Sequence, residues 1–243
     1  MDYKICIMIP ITSRKTNWKN FKDTHLYNIF LKSFLASYNK EFPHLFCFAY
    51  DEGDSLFDKQ EIRDEISKFI SIMKNCSVKW LRTDGIPSGS VSEMWNLCFE
   101  YGYNKNYDFF LQCGDDVDFV PSKIGNWENA FIRFLESTDY IGVCGFADLG
   151  RIYKNREDRL ITQSFVHRSH YDIFKYYYPK EIKNWYVDNW ITLVYAKCGM
   201  AHYSNQYCIV NKGGEPRYDV EECPKLCKDL IERDYKKILY YKK

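Results

Sequence analysis

The sequence predicts an α/β fold in which a parallel sheet carries helices on both faces. Three observations lead there: short apolar runs in the first half of the chain, helix-period segments between them, and polar clusters that close the runs. The 243 residues suffice for one large domain whose core needs no disulfide staples.

Ile5 to Ile9 is wholly apolar and ends at Pro10, which reads as a buried parallel strand. Asp23 to Tyr38 follows as a helix, with Leu26, Phe30 and Phe34 on one side. Leu45 to Tyr50 is a second strand and runs into Asp51-Glu52-Gly53-Asp54. The next helix gathers Ile62, Ile66, Phe69, Ile70 and Met73 on one face. Ser77 to Leu81 is a third strand. Ser90-Val91-Ser92-Glu93 is a capping box that opens a helix with Val91, Met94, Trp95 and Cys98 inward. Asp108 to Gln112 is a fourth strand and leads into Gly114-Asp115-Asp116. The second half is less regular. Trp127 to Ser137 reads as a helix, Tyr140 to Cys144 as a strand, Asp188 to Ala196 as a helix, and Pro224 to Tyr241 as a terminal amphipathic helix rich in lysine.

The formal net charge of +1 argues against a general nucleic-acid binder, which carries a strong basic bias. Aromatic residues make up 18%, a supply of rings for sugar faces or simply a tyrosine-rich core and surface. Most of the ten cysteines sit in apolar runs and read as small buried hydrophobes rather than metal ligands. Met1-Asp2-Tyr3-Lys4 leads straight into the first strand without a secretory signal, and no apolar run approaches a membrane span. The expectation is a reducing, cytoplasmic setting. The lysines of the terminal helix allow peripheral membrane contact, although a solvated face is the plainer reading.

Ligands of such sheets bind beyond the carboxyl ends of the strands. The strongest candidate there is Gly114-Asp115-Asp116-Val117-Asp118. Crowded carboxylates repel and raise one another's pKa unless a cation neutralises them, and hard oxygen ligands suit Mg²⁺ or Mn²⁺. An Asp-rich turn with solvated side chains is the alternative. Asp188, flanked by Trp185-Tyr186 and Trp190, is placed for a raised pKa and general-base work, or for a helix N-cap. Thr12, Ser13 and Arg14 after the first strand, with Pro10 before them, are candidates for a nucleotide's base and phosphates. Asp51 can accept from a pyrimidine N–H, Gly89 lets backbone approach a ligand, and Asn96 can bond the acidic loop. Each of these has an ordinary turn, cap or surface alternative. His167 and Arg168 offer phosphate or acceptor contacts, Trp185 an acceptor face, His202 a late metal ligand, and Arg217 a clamp for a diphosphate.

Taken in order, these parts resemble the GT-A glycosyltransferases. More narrowly, Gly114-Asp115-Asp116, Ile161-Thr162-Gln163-Ser164-Phe165-Val166-His167-Arg168 and Asn184-Trp185-Tyr186-Val187-Asp188-Asn189-Trp190-Ile191 are similar to a glycosyltransferase group of large DNA viruses, including chlorovirus rhamnosyltransferase-like domains. The resemblance spans most of residues 4 to 220. It implies a Rossmann-like mixed sheet flanked by helices in one domain over 1–223. The nucleotide-binding half would cover about 1–120 and the acceptor half about 121–223, with a terminal helix at 224–243. It implies transfer from a UDP-sugar to a hydroxyl of a glycan or glycoprotein, aided by Mn²⁺ or Mg²⁺, with inversion, in the host cytoplasm if viral. Asp116 and Asp118 would be the metal-side acids, Asp115 would face ribose or donor sugar, and Asp188 would be the base. Thr12, Arg14 and Asp51 would hold uridine. The third metal ligand stays open, because His202 comes early and Asn211 stands at the expected place. A sugar nucleotidyltransferase and a non-catalytic glycan-binding module are the rival readings. The first would need a glycine-rich loop where Pro10-Ile11-Thr12-Ser13-Arg14 stands.

Overall fold

Alternate side chains of Ile5–Ile11 (β1) divide between two buried layers, and the rest of the fold follows from that division. The computed structural model describes residues 3–120, 125–152 and 159–242. Ile5, Ile7 and Ile9 face a layer built with Phe30, Phe34, Phe46 and Trp127. Cys6 and Met8 face the other layer, with Cys98, Phe99, Tyr177 and Trp190.

β1 lies between two parallel neighbours, His44–Tyr50 (β2) and Phe109–Gln112 (β4), and Cys76–Arg82 (β3) extends the sheet beyond β2. Lys32–Leu35 (α1), Gln60–Ser71 (α2) and Val91–Asn104 (α3) join them. This half matches the expected alternation, with one local difference. The predicted helix from Asp23 to Tyr38 is a π-helical stretch, Leu26–Leu31, that runs into α1. The predicted capping box does not form either. Ser90 is the cap residue of α3, but its hydroxyl makes no capping bond, and the Ser92 N–H donates to the Lys183 carbonyl at 2.9 Å.

The second half turns the sheet mixed. Ser164–His167 (β7) runs antiparallel to both β4 and Val143–Asp148 (β6). Ala201–Asn211 (β8) is parallel to β6 and antiparallel to Val117–Phe119 (β5). The eight-stranded order is β3-β2-β1-β4-β7-β6-β8-β5. Trp127–Ser137 (α4) and Pro224–Tyr241 (α8) begin and end where the sequence predicts. Leu149–Ile152 (α5), Ser169–Phe174 (α6) and Val187–Ala196 (α7) complete the helices among the described residues. The strand expected from Tyr140 starts three residues later, at Val143. α8 buries Leu230, Ile231 and Ile238 in the layer that holds Trp190 and Val194, so its apolar face is used inside the fold. No described helix is long and apolar enough to cross a membrane. No disulfide joins the described cysteines, and Cys6, Cys47, Cys98, Cys113, Cys144 and Cys208 are buried as expected.

Gly102 sets how closely α3 approaches the sheet. A Cβ there would stand 2.8 Å from the Phe110 ring and 2.9 Å from the Cys6 sulfur. Alanine would bring about 1 kcal/mol of helix propensity, but overpacking costs about 1–3 kcal/mol. Both obstacles sit on strands that cannot yield, so the clash wins. Gly102→Ala is expected to lower stability by roughly 1 kcal/mol in urea unfolding; a stabilised variant would show that α3 can slide.

Candidate active site

A cleft of about 730 Å³ opens beyond the carboxyl ends of β1, β4 and β6, facing the first turn of α7. Pro10, Gln112, Asp115, Asp116, Asp148, Asp188 and Asn211 reach it from four strands or their exits and one helix. The three carboxylates of the acidic loop have different surroundings. Asp115 is buried and takes both terminal nitrogens of Arg217, one at 2.9 Å, while Arg217 also donates to the Thr12 carbonyl at 2.8 Å. Asp118 lies on the next strand, outside the cleft lining, and pairs with the Lys212 ammonium. Asp116 makes no ion pair among the described residues. Burial and the Asp115 charge push its carboxyl up to about 6, against the pull of Arg217.

Two glycines flank Asp116. A Cβ at Gly213 would fall 1.7 Å from one carboxylate oxygen, and one at Gly114 would fall 2.6 Å from the other. The Asp116 carbonyl accepts from the Lys212 N–H at 2.9 Å. The loop after β8 is thereby laced onto the acidic loop.

Asp188 stands at the far wall. It is the second residue of α7, not its cap. The cap position belongs to Tyr186, whose φ of 75° is left-handed. Burial raises the Asp188 carboxyl from 3.8 to about 7; Arg151 opposes the shift and the Asp148 charge adds to it. Asp148 closes β6, where it accepts from the Gly150 N–H at 3.0 Å and the Thr162 hydroxyl at 3.4 Å. Trp185 is exposed on the cleft rim beside it.

The loop after β1 differs from expectation. Thr12 and Ser13 do not present free hydroxyls. Both donate to the buried Asp54, at 3.0 and 2.7 Å, and Asp54 also accepts from the N–H groups of Ser13, Leu56 and Phe57. Their side chains brace the loop, while Pro10 lines the cleft and the Thr12 carbonyl anchors Arg217. Arg14 pairs with Asp51 at 2.9 Å and donates to Ser88 at 2.7 Å, so the two nucleotide candidates do meet, on each other. Gly89 takes φ 84°, and a Cβ added there would stand 3.7 Å from Tyr218, next to Arg217. Asn96 neither bonds the acidic loop nor is exposed. Its carboxamide accepts from the Tyr177 and Tyr178 N–H groups, each at 2.8 Å, and donates to the Tyr178 carbonyl.

His167, Arg168 and His202 lie away from the cleft. His167 pairs with Phe109, the first residue of β4, and is packed on Tyr140; burial and the Arg168 charge hold it down at about 4. Arg168 covers the Tyr103 ring at 4.8 Å. The segment that carries them contributes Thr162 and Gln163 to the cleft instead, at its other end. His202 is the second residue of β8, beside Cys144, and stacks on Phe134, whereas Asn211 at the other end pairs with Val117. At ~3.3 Å per residue along the β6 register that spans the bulge in β8, roughly 20 Å separate His202 from Asn211 and the acidic loop beside it, so it is no ligand to the same ion. No group of three or more His, Cys, Asp or Glu among the described residues can hold a metal. What remains is Asp116 with open space beside it. One carboxylate suffices for Mg²⁺ or Mn²⁺ when substrate phosphates and water supply the other ligands, and the donor set fits that case only.

Asp148, Arg151, Gln112, Gln163 and Tyr218 reach the cleft without having been singled out. Asp148 had a signal, a carboxylate that ends the apolar run Val143 to Ala147. Gln112 is a polar residue inside an otherwise apolar strand. Arg151 and Tyr218 carry no such mark.

By sequence, the chain matches no family model and no curated protein. By structure, it is similar to Staphylococcus aureus TarS in complex with UDP-GlcNAc, with TM-score 0.60 and 14% identity over 97% of this chain. The chain spans only 66% of that structure's length. The catalytic domain of Drosophila β1,4-galactosyltransferase 7 in complex with xylobiose gives TM-score 0.50 at 10% identity, covering 96% of this chain and 80% of that one. A Bacillus anthracis structure described as a glucose-1-phosphate thymidylyltransferase gives 0.51 at 12%, covering 83% and 85%. At these identities the likeness establishes the fold, a GT-A-like α/β domain with a mixed sheet.

Asp188 ties the cleft to stability. Its folded pKa of about 7 lies above the unfolded 3.8, so folding disfavours the ionised form. Stability is greatest below the unfolded value, falls as pH rises toward about 7, and is level above. Asp188→Asn is therefore expected to melt higher than the parent at about pH 8, with the gap closing toward about pH 4. A gap that stays constant across a series of thermal melts would contradict a buried, half-protonated carboxyl.

Proposed function

We propose that this chain transfers a sugar from a UDP-sugar to an acceptor hydroxyl, on a glycan or glycoprotein, by single displacement with inversion. The observation that carries the reading is Asp188, a carboxyl held near neutrality across one cleft from Asp115, Asp116 and Arg217. A base with a pKa near the working pH combines a deprotonated fraction with real proton affinity. In this reading the acceptor oxygen attacks the anomeric carbon and its proton passes to Asp188. The bond from that carbon to the β-phosphate oxygen breaks, and UDP leaves with the electron pair. Arg217 exchanges Asp115 for the diphosphate, where its planar fork matches two phosphate oxygens. Arg14 and Asp51 would hold the base and ribose. Asp116 is the residue that would hold Mn²⁺ or Mg²⁺, whose charge would lower the cost of the diphosphate leaving group. The fold likeness to a structure that holds UDP-GlcNAc supports the donor class. The viral subgroup of the resemblance rests on the sequence motifs alone.

Asp188→Asn is expected to keep UDP binding and lose about 10²–10⁴-fold in turnover. In the parent, kcat/KM should rise about tenfold per pH unit up to about pH 7 and then level, because the base must be deprotonated. Unchanged turnover in the variant would remove Asp188 from the reaction. Release of pyrophosphate from a sugar phosphate and a nucleoside triphosphate would replace the reading by nucleotidyl transfer. For the metal, Mn²⁺ is expected to tighten UDP binding in calorimetry and Asp116→Ala to abolish that gain; parent binding indifferent to Mn²⁺ would refute the ion.

A further inference from the structure

Two buried carboxamides at the floor of the cleft are half used. Gln112 is 2% exposed and Gln163 is 4% exposed, and both line the cleft. The Gln112 side-chain oxygen accepts from the Ser164 N–H at 3.2 Å, the Ser164 hydroxyl at 3.2 Å and the Tyr178 hydroxyl at 3.1 Å. The Gln163 oxygen accepts from the Gly114 N–H at 3.1 Å. A backbone N–H only donates, so the atom facing it must be the oxygen, and the orientation of both amides is decided. Neither NH₂ group has a hydrogen-bond partner among the described residues. Nor is either nitrogen sealed off. Polar atoms that lack both partner and solvent do occur in this protein, at His44 and Trp127 for example, but not at these two. Both nitrogens therefore meet the cleft.

The anchoring is built for the purpose. Ser164 and Tyr178, which grip Gln112, are themselves buried and joined to Tyr177, and Asn96 holds the backbone of that tyrosine pair. With each oxygen held, the direction of its NH₂ is set, and a preset donor that opens onto the cleft is available to a ligand atom.

The chemistry around them selects the ligand. The same cleft presents Asp115, Asp116, Asp148 and Asp188, which accept or repel. A carboxylate ligand would satisfy the amides but oppose the acids. A sugar hydroxyl satisfies both, because it accepts from an NH₂ while donating to a carboxylate. We propose that Gln112 and Gln163 form a donor-sugar subsite that selects a neutral hexose by donating from their NH₂ groups to its ring hydroxyl oxygens. They are specificity-determining contacts, and the inference rests on the UDP-sugar reading above.

Calorimetric titration of the whole chain with UDP, UDP-glucose, UDP-galactose, UDP-N-acetylglucosamine and UDP-glucuronic acid tests it. At least one neutral UDP-hexose should bind more tightly than UDP-glucuronic acid. Gln112→Glu and Gln163→Glu keep the gripped oxygen and replace the NH₂. Each should weaken that UDP-hexose on the order of 10-fold while UDP itself changes by no more than about 2-fold. An unchanged ratio of UDP-hexose to UDP affinity in both variants overturns the inference and leaves the UDP-sugar reading standing. Equal loss of UDP and UDP-hexose also overturns it, as the mark of a scaffold role. A parent that binds no uridine nucleotide sinks the reading itself, and the inference with it. Should either variant fail to fold in thermal melts, UDP-deoxyglucoses lacking one hydroxyl at a time are titrated into the parent. At least one should lose about 10-fold, and loss at no position overturns the proposal.

Discussion

Three carboxylates within four residues cannot lie side by side at the end of a buried strand without counter-charge or protonation. Much of the structure around the cleft can be read as the answer to that constraint. The answer is different for each acid. Asp115 receives a guanidinium from the segment that follows the last strand, and Asp118 is turned by the strand alternation to the other face, where Lys212 meets it. Only Asp116 is left with its charge unresolved. The ion pair of Asp115 with Arg217 is well buried, and its worth lies less in net stability than in register. It fastens the stretch after β8 to the exits of β1 and β4, neighbours in the sheet with which β8 itself does not pair.

The opposite wall is organised by cost rather than by pairing. Asp188 sits where burial penalises its charge, on a helix entered through a left-handed tyrosine. A residue other than glycine in that region stores strain, and such strain persists only where packing over-determines it. Here Val187, Trp190, Ile191 and Val194 are buried against the layer shared with α8. The terminal helix thus braces the first turn of α7 indirectly, and its buried Asp234 accepts from the Trp190 indole at 3.1 Å.

What the sequence made legible follows from where water is absent. β1, β2 and β4 are buried on both faces, so their apolar runs read as strands directly. β8 is eleven residues long but half-exposed over its first portion, and its polar Ser204-Asn205-Gln206 interrupts the pattern. β7 and β5 are too short to show any period. The acidic loop and Asp188 were readable because carboxylates at strand ends and beside indoles are unusual enough to notice. Partners were not readable. Ser13 resembled a ligand-binding hydroxyl until Asp54 claimed it, and Asn96 resembled a polar finger until Tyr177 and Tyr178 did. His167 shares a motif with Gln163, yet strand β7 carries the two to opposite ends of the sheet. A strand separates residues by ~3.3 Å each, so nearness in sequence is a poor guide to shared function across even four of them.

The glycine opposite Asp116 has a consequence for how this chain can vary. Gly213 leaves the space that the Asp116 carboxylate fills, so a side chain at one position and the acid at the other exclude each other. Substitutions at these two sites, far apart in the chain, will not add independently. In a mutational library, most replacements at 213 will act as lesions of the acidic loop although they carry no chemistry of their own. Variants tolerated there should appear mainly together with a shorter residue at 116, which makes the pair a readable record of epistasis between two loops.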